Sequence, residues 1–413
     1  MNPYYYRRKT CRLCDSTQVT LGVEMVPTPP GDTYVPKERA TITQQCFPLG
    51  LFFCQSCGCI QLLDVVDPAV IYAEYIYQTS ISLGLPEHFL GYVDDIMAFV
   101  APRPQALVID IGSNDGTLLL GFKGRGMKVL GVDPSPAAVQ TANQRGVETI
   151  QAFFSSQLAH QLKAKRQAAA IVTANNVMAN IDEMHDFAEG IRTLIEPDGY
   201  FVFETGYGLD LLEKRLLDVV HHEHLSFFTV KSLEIFFRRH GMKIVDAQHI
   251  PTKGGSIRCI VQSQRFSRVP DPSVEVMIAL EAHKKIDRIE TFRQINTFIS
   301  LRREEINKFL GDARLRKKSI AGYGASVGTT TLLYLFGLAD KLDYFVDDNP
   351  IRDGLFSPGY HIPVYPSQEL YEKKPDYTVI FAWRYIDPIM KRHEKFTGQG
   401  GRFITFLPEF KIF

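Results

Sequence analysis

Cysteine clustering is the feature that most constrains how this chain folds. Six of its seven cysteines lie within the first 59 residues, and only Cys259 lies beyond them. Four of the six form two C-x-x-C pairs, Cys11 with Cys14 and Cys54 with Cys57. Two such pairs on separate turns can offer four thiolates to one tetrahedral ion, the usual structural zinc site, with no coordination position left open for chemistry. A redox pair would need only one C-x-x-C beside a βαβ unit, and a cytosolic compartment disfavours disulfides. The pattern therefore predicts an N-terminal module folded around zinc, with Cys46 and Cys59 as bystanders.

Length and charge limit the number of domains and the kinds of partner that this chain can have. At roughly 100 to 200 residues per domain, 413 residues predict two to four domains. The 46 basic and 46 acidic side chains cancel, which argues against nucleic acid as a partner, since no overall positive field is present. No apolar run reaches about 18 residues, so neither a signal peptide nor a membrane span is predicted. We expect a cytoplasmic protein that is a monomer or weak dimer and has no membrane partner.

A glycine-containing turn follows the first predicted strand of the central region, Ala106–Asp110. Its sequence, Gly112-Ser-Asn-Asp-Gly116, leads into a helix, and a second strand, Lys128–Val132, ends at Asp133. Open α/β sheets bind nucleotides at this edge, where an acid after the second strand accepts hydrogen bonds from ribose hydroxyls. The turn lacks the G-x-G-x-x-G of pyrophosphate-binding sites, and S-adenosylmethionine has no phosphate. The run resembles motifs I and II of Rossmann-like methyltransferases. An ordinary βαβ crossover is the alternative.

Three histidines and a glutamate occupy consecutive positions, His221-His222-Glu223-His224, ahead of a predicted helix N-cap at Thr229. In an extended segment His222 and His224 would face one side, with His221 and Glu223 on the other. A metal site is one reading, but the run lacks the H-E-x-x-H spacing. A solvent-exposed polar loop is another. General acid–base chemistry is favoured, because histidine titrates near neutrality and an adjacent carboxylate can set its tautomer and basicity.

Several motifs together resemble the three-domain sugar-nucleotide C-methyltransferases, which methylate keto-deoxysugars. They are the four paired cysteines, Tyr75-Ile-Tyr77 with Ser80 and Ser82, Ile111-Gly-Ser-Asn-Asp-Gly116, Glu223-His-Leu-Ser-Phe-Phe228, and Gly254-Gly-Ser-Ile-Arg258. The resemblance implies that His224 is the base and Glu223 its neighbouring carboxylate. It departs from the family pattern at His221, where the family commonly has tyrosine, and at Asn180, where it commonly has histidine.

A second α/β unit is predicted after a charged helical stretch, Pro270–Arg316. Its glycines, Gly322, Gly324 and Gly328, lie one residue off the NAD fingerprint, so an NAD-dependent dehydrogenase is a rival interpretation. By resemblance, this domain instead holds the nucleotide end of a sugar substrate, with Ser326 and Thr329–Thr331 offering donors to a pyrophosphate. Trp383 either stacks a base or fills the core.

The sequence therefore predicts an α/β protein with an N-terminal zinc-binding module (1–66), a central Rossmann-like methyltransferase domain (67–265) and a second Rossmann-like domain (266–413). The expected function is S-adenosylmethionine-dependent C-methylation beside the ketone of a nucleotide-linked sugar, with an O- or N-methyltransferase as the rival from the same fold. The candidate catalytic residues are His224, Glu223, His221, Asn180 and His222. The candidate cofactor-binding residues are Tyr77, Asp110, Gly112, Asn114, Asp115, Gly116, Asp133, Pro134, Asn175 and Asn176, and the candidate zinc ligands are Cys11, Cys14, Cys54 and Cys57.

Overall fold

The structure is a computed structural model that describes residues 4–71, 84–266 and 268–413. Tyr77 and the neighbouring motif residues Tyr75, Ser80 and Ser82 lie outside the described residues. In the described part of the chain, no helix is both long enough and apolar enough to cross a bilayer.

The N-terminal module is built from short strands. They are β1 (Tyr5–Arg7), β2 (Val19–Glu24), β3 (Gly50–Cys54), β4 (Ile60–Gln61) and β5 (Asp64–Val66). Strands β2, β3 and β4 pair antiparallel in sequence order, and β1 pairs with β5. The last residue of β3 is the predicted zinc ligand Cys54, so the sheet carries one of the two cysteine pairs.

The central region alternates strands and helices. Its elements are α1 (Pro68–Ile71), α2 (Leu85–Val100), β6 (Leu107–Ile111), α3 (Thr117–Gly124), β7 (Lys128–Asp133), α4 (Pro136–Gln144), β8 (Thr149–Gln151), α5 (Ser156–Arg166), β9 (Ala169–Thr173), α6 (Met184–Leu194), β10 (Ile195–Gly206), α7 (Gly208–Glu213), β11 (Ser226–Phe227), α8 (Val230–Arg239), β12 (Met242–Ile250) and β13 (Ser256–Ser263). Seven strands form one sheet in the order β12-β13-β10-β9-β6-β7-β8. The strands from β10 to β8 in that order are parallel, and β13 and β12 are antiparallel. Strands β6 and β9 are almost wholly apolar, as expected for strands covered by helices on both faces.

The C-terminal region begins with two helices and continues as a second α/β unit. Its elements are α9 (Pro272–His283), α10 (Ile289–Leu315), β14 (Ile320–Tyr323), α11 (Val327–Phe336), β15 (Tyr344–Asp347), β16 (Val364–Pro366), α12 (Glu369–Lys373), β17 (Tyr377–Ile380), α13 (Ile386–Arg392), α14 (Glu394–Gly398), β18 (Arg402–Thr405) and β19 (Lys411–Ile412). The sheet order is β16-β15-β14-β17-β18-β19, parallel except at β19. The predicted α/β fold class, with two Rossmann-like sheets behind an N-terminal module, is confirmed.

One strand crosses the predicted boundary at residue 66. Strand β11 follows the histidine cluster, yet it pairs antiparallel with β4 and completes the four-stranded sheet of the N-terminal module. Helix α10 packs on the same module, because Phe292 stacks on Phe53 with ring centroids 4.6 Å apart and Asn296 donates to the Gly22 carbonyl. The N-terminal module is therefore held by elements from both later regions.

Candidate functional site

The four paired cysteines meet in space. The sulfur atoms of Cys11, Cys14, Cys54 and Cys57 all lie within 4.8 Å of one another. A tetrahedral zinc with bonds of about 2.3 Å requires S···S separations of about 3.8 Å, so this donor set fits the ion. Cys46 is exposed, and Cys59 is buried with its thiol 3.6 Å from the Ile60 carbonyl. Gln61 donates to the sulfur of Cys11 over 3.1 Å, an outer contact that orients the ligand.

The glycine turn that is predicted to bind the methyl donor, Gly112–Gly116, is called the donor turn here. It lies at the carboxyl edge of neighbouring parallel strands. Ile111 pairs with Val132, so Gly112 and Asp133 follow at adjacent strand ends. Gly112 has φ +70°, and a Cβ there would stand 2.2 Å from Cγ2 of Val177, so this turn requires glycine. Asp133 accepts hydrogen bonds from the backbone N–H groups of Asn114 (2.9 Å) and Ser135 (2.8 Å). These bonds tie Asp133 to the glycine turn and fix its carboxylate at the strand end.

The remaining donor-site candidates divide by what their side chains contact. Asn175 accepts from the Glu204 N–H, while its own Nδ2 is buried with no partner among the described residues, so it has a donor to offer a ligand. Asp110 is buried and accepts from Thr173; burial raises its pKa to about 7. Asp115 is fully buried, where it accepts from Thr117 and pairs with Arg145, so its carboxylate stabilises the start of α3.

Three further candidates act through the backbone. Gly116 is the N-cap of α3 with φ +76°, Asn176 has φ +58° and donates its N–H to the Glu204 carbonyl, and Pro134 lies between Asp133 and Ser135. These candidates therefore lie along the ends of β6, β7 and β9.

The histidine cluster folds as a turn, and the expected alternation of its side chains is wrong. The His224 N–H donates to the His221 carbonyl over 2.9 Å, so residues 221–224 curl instead of extending. The rings of His221 and His224 lie together, with centroids 4.1 Å apart. His222 points the other way, where Nε2 donates to the Pro48 carbonyl of the N-terminal module over 3.1 Å. The two imidazoles that lie together are thus those of His221 and His224.

His224 is held in one tautomer. Its Nδ1 lies 2.9 Å from the carbonyl oxygen of Val219, and a carbonyl only accepts, so Nδ1 carries the proton. Nε2 therefore has the lone pair, and no described residue hydrogen-bonds to it. Burial lowers the pKa of His224 to about 4, with the charges of Lys253 and Arg384 adding to the effect, so the ring is neutral near pH 7. The orienting group is thus a backbone carbonyl, whereas the sequence pointed to Glu223.

The other acid–base candidates have different surroundings. Burial and the nearby charge of Asp32 raise the pKa of Glu223 to about 7. His221 is buried, its Nδ1 has no partner among the described residues, and burial holds its pKa well below the usual value. Asn180 ends a 3-10 turn, Met178–Asn180, whose Ala179 carbonyl accepts from Leu225 over 2.7 Å. That bond brings the Asn180 loop beside the histidine cluster.

Sequence reasoning missed a group of charges at this site. Arg384 of the C-terminal domain pairs with Asp218 over 2.8 Å and donates to the Lys253 carbonyl over 2.6 Å. The Lys253 side chain is exposed to solvent, although many protein atoms lie around it. Partial loss of hydration of its ammonium group, together with the Arg384 charge, lowers its pKa to about 8. Gly255, two residues after Lys253, leaves no room for a Cβ beside Asp210, so this turn packs closely against α7.

The C-terminal glycine turn is used for packing. A Cβ on Gly328 would stand 2.4 Å from the Asp218 carbonyl, so this glycine lets α11 approach the turn before the histidines. The hydroxyls of Thr330 and Thr331 donate to the carbonyls of Gly31 and Val220. Thr330 and Thr331, two of the residues expected to meet a pyrophosphate, therefore contact other regions, while Ser326 and Thr329 form the capping box of α11. Trp383 is buried.

Comparison with known proteins identifies the chain. Residues 251–408 match a family model described as "C-methyltransferase C-terminal domain", residues 87–247 match a "Methyltransferase domain", and residues 11–72 match a "Putative zinc binding domain". The C-methyltransferase NovU of Streptomyces niveus is 30% identical over 403 residues, which cover 97% of this chain and 96% of that protein. The chain belongs to this three-domain C-methyltransferase family. It is an S-adenosylmethionine-dependent methyltransferase with an N-terminal zinc-binding domain, as the sequence predicted.

Other relatives match only part of this C-methyltransferase. A ubiquinone biosynthesis O-methyltransferase of Cupriavidus pinatubonensis is 24% identical over 204 residues, 46% of this chain and 77% of that protein. Among solved structures, the glycopeptide N-methyltransferase MtfA is 12% identical, covering 42% of this chain and 90% of its own, with a TM-score of 0.34. The PH0226 protein of Pyrococcus horikoshii is 15% identical, covering 46% and 97%, with a TM-score of 0.38.

Proposed function

We propose that this enzyme methylates a carbon next to the ketone of a nucleotide-linked keto-deoxysugar, and that His224 is the base. The observation that carries the proposal is the hydrogen bond from Nδ1 of His224 to the Val219 carbonyl, which leaves Nε2 with the lone pair of a proton acceptor. Carbon methylation requires such an acceptor, because the C–H bond must break before the carbon becomes a nucleophile.

In the proposed reaction, Nε2 of His224 takes the proton and the C–H electron pair moves toward the ketone oxygen to give an enolate. His221 and Asn180 are candidates to bind that oxygen, since both adjoin His224; His222 contacts Pro48 and is the weaker candidate. The Lys253 ammonium adds positive charge near the two histidines, and fixed charge of this kind stabilises a developing oxyanion. S-adenosylmethionine, when bound, supplies an electrophilic methyl group to the enolate carbon.

The donor is proposed to bind across the ends of β6, β7 and β9. Asp133 accepts from the ribose hydroxyls, while Gly112 and Asn114 give the ligand close access to backbone. Asn175 offers its unused Nδ2. The turn Trp383–Tyr385 closes on the segment before the histidines, which supports a sugar nucleotide lying between the central and C-terminal domains. The limits of the three domains, 1–66, 67–265 and 266–413, remain predictions.

The test is His224→Asn, assayed with nucleotide-linked keto-deoxysugars. We expect kcat to fall by about 10² to 10⁴, the usual worth of a general base, with donor affinity nearly unchanged. The wild type should also exchange the proton beside the ketone with deuterated solvent when S-adenosylhomocysteine is bound, and the variant should not.

His222→Asn is the matched control, because it removes a neighbouring imidazole that faces away from His224, and its kcat should fall far less than that of His224→Asn. A near-normal kcat in His224→Asn would contradict the assignment of His224 as the base. A product methylated on oxygen would instead favour the O-methyltransferase reading.

A further inference from the structure

Arg12 lies between two zinc ligands, Cys11 and Cys14, and its side chain is completely buried. A buried guanidinium is costly unless charge and hydrogen bonds compensate it. Among the described residues, Asp182 is the carboxylate that pairs with it, with Nε of Arg12 2.8 Å from Oδ1. The buried position of Arg12 in a zinc knuckle therefore indicates a role in addition to supporting the metal site.

The guanidinium reaches out of the N-terminal module to two segments of the candidate active site. Nη1 donates to the carbonyls of Leu225 (2.9 Å) and Leu62 (3.1 Å). Leu225 directly follows His224, and Asp182 lies two residues after Asn180. One side chain thus binds the segments that carry the proposed base and a proposed substrate-binding residue.

The zinc site and Arg12 share a further partner. Gln61 is fully buried; its Oε1 accepts from the Arg12 backbone N–H over 3.0 Å, and its Nε2 donates to the sulfur of Cys11 over 3.1 Å. The four-thiolate site therefore fixes Arg12 through both the chain and this amide. Ala179 and Leu225 are already joined by a hydrogen bond, so Arg12 clamps a unit that includes both active-site segments.

We infer that Arg12 is a positioning residue that transmits the geometry of the zinc knuckle to the His224 turn and the Asn180 loop. The inference rests on the proposed function only for the identity of the base. The N-terminal module accordingly sets the placement of active-site groups as well as its own fold, and a displacement of about 1 Å at such groups costs about 10²-fold in rate.

Arg8 provides a matched control. Its Nη1 contacts Asp182 from the same module over 3.1 Å, but among the described residues it makes no hydrogen bond to Leu225. Arg8→Met therefore removes a cation from Asp182 and leaves the link to the histidine segment intact. Arg12→Met removes both links while keeping an unbranched apolar stem.

The experiment compares Arg12→Met, Arg12→Lys and Arg8→Met in zinc content, steady-state kinetics and amide deuterium exchange. We expect Arg12→Met to keep one zinc per chain, to lose about 10- to 100-fold in kcat with the donor KM within about twofold, and to exchange faster in peptides spanning 177–183 and 219–228. Arg8→Met should match the wild type in kcat and in the 219–228 peptide. Arg12→Lys, which keeps the charge but not the fork of donors, should show a smaller kcat loss.

Arg12→Met with wild-type kcat and exchange would overturn the inference, as would equal effects from Arg8→Met. If Arg12→Met does not fold, Arg12→Lys decides, and wild-type kcat in that variant would overturn it. The exchange readout does not depend on which residue is the base. Normal turnover of His224→Asn alongside faster exchange in Arg12→Met would therefore refute the base and leave the positioning role standing.

Discussion

Two aspartates of the donor turn show how burial alone fails to define a residue's role. Asp133 and Asp115 are both buried, but among the described residues Asp133 is bound by backbone N–H groups at the strand end, whereas Asp115 contacts the side chains of Thr117 and Arg145. Both were predicted to bind the cofactor from sequence position. Their contacts favour a ligand role for Asp133 and a structural one for Asp115.

Asp133→Asn should therefore weaken binding of S-adenosylhomocysteine. A carboxylate that accepts two ribose hydroxyls contributes about 1.5–3 kcal/mol, which is roughly a 10- to 100-fold rise in Kd. Titration calorimetry measures it. Asp115→Asn is the control and should lower thermal stability with less effect on Kd; equal Kd changes in the two variants would contradict the assignment.

The raised pKa of Glu223 predicts that the free energy of unfolding depends on pH. Burial, with the charge of Asp32, raises its folded pKa from 4.5 to about 7, and Asp32 is itself paired with Arg352. The folded state therefore holds a proton that the unfolded state releases, so its contribution is full below about pH 4.5 and is lost as pH rises through about 7. Glu223→Gln should accordingly gain stability relative to the wild type between pH 5 and 8, by about 1–3 kcal/mol. Urea unfolding at pH 5 and at pH 8 measures the difference in unfolding free energy between Glu223→Gln and the wild type. A difference that is the same at both pH values would refute the prediction.

At the scale of elements, local patterns predicted what local forces determine. Thr229, predicted as a helix N-cap, caps α8, and Ser232 completes a capping box. Strands β6 and β7 lie within a residue of their predicted limits. The turn at 221–224 was missed, because a run of polar residues carries no periodicity and its shape depends on contacts with Pro48 and Val219.

The zinc site belongs to this scale, because its ligands lie at and between short strands that have little core of their own. We expect one zinc per chain, and its removal by a chelator should lower the unfolding temperature by about 10 °C or more. Metal analysis and calorimetry test this. S-adenosylhomocysteine affinity should stay within about threefold, because the donor turn lies on β6 and β7. Metal-free protein with unchanged thermal stability would contradict the structural role.

At the scale of the whole molecule, the candidate site is assembled from all three regions. Pro48 contacts His222 from the N-terminal module, while Arg384 and Thr331 contact Asp218 and Val220 from the C-terminal domain. The sequence indicated the zinc ligands, the donor turn and the histidines, since each is a short contiguous motif. It could not indicate Val219, Lys253 or Arg12, because their roles follow from bonds between segments far apart in the chain.

The completion of the N-terminal sheet by β11 has a consequence for biosynthesis. While the ribosome makes the first two hundred residues, β4 has one edge with no neighbouring strand, and such an edge is a site for unwanted pairing with other chains. The sheet closes only when residues 226–227 have emerged, so the part made first is finished late. A separately expressed fragment ending near residue 66 would keep that edge open and would be prone to aggregate.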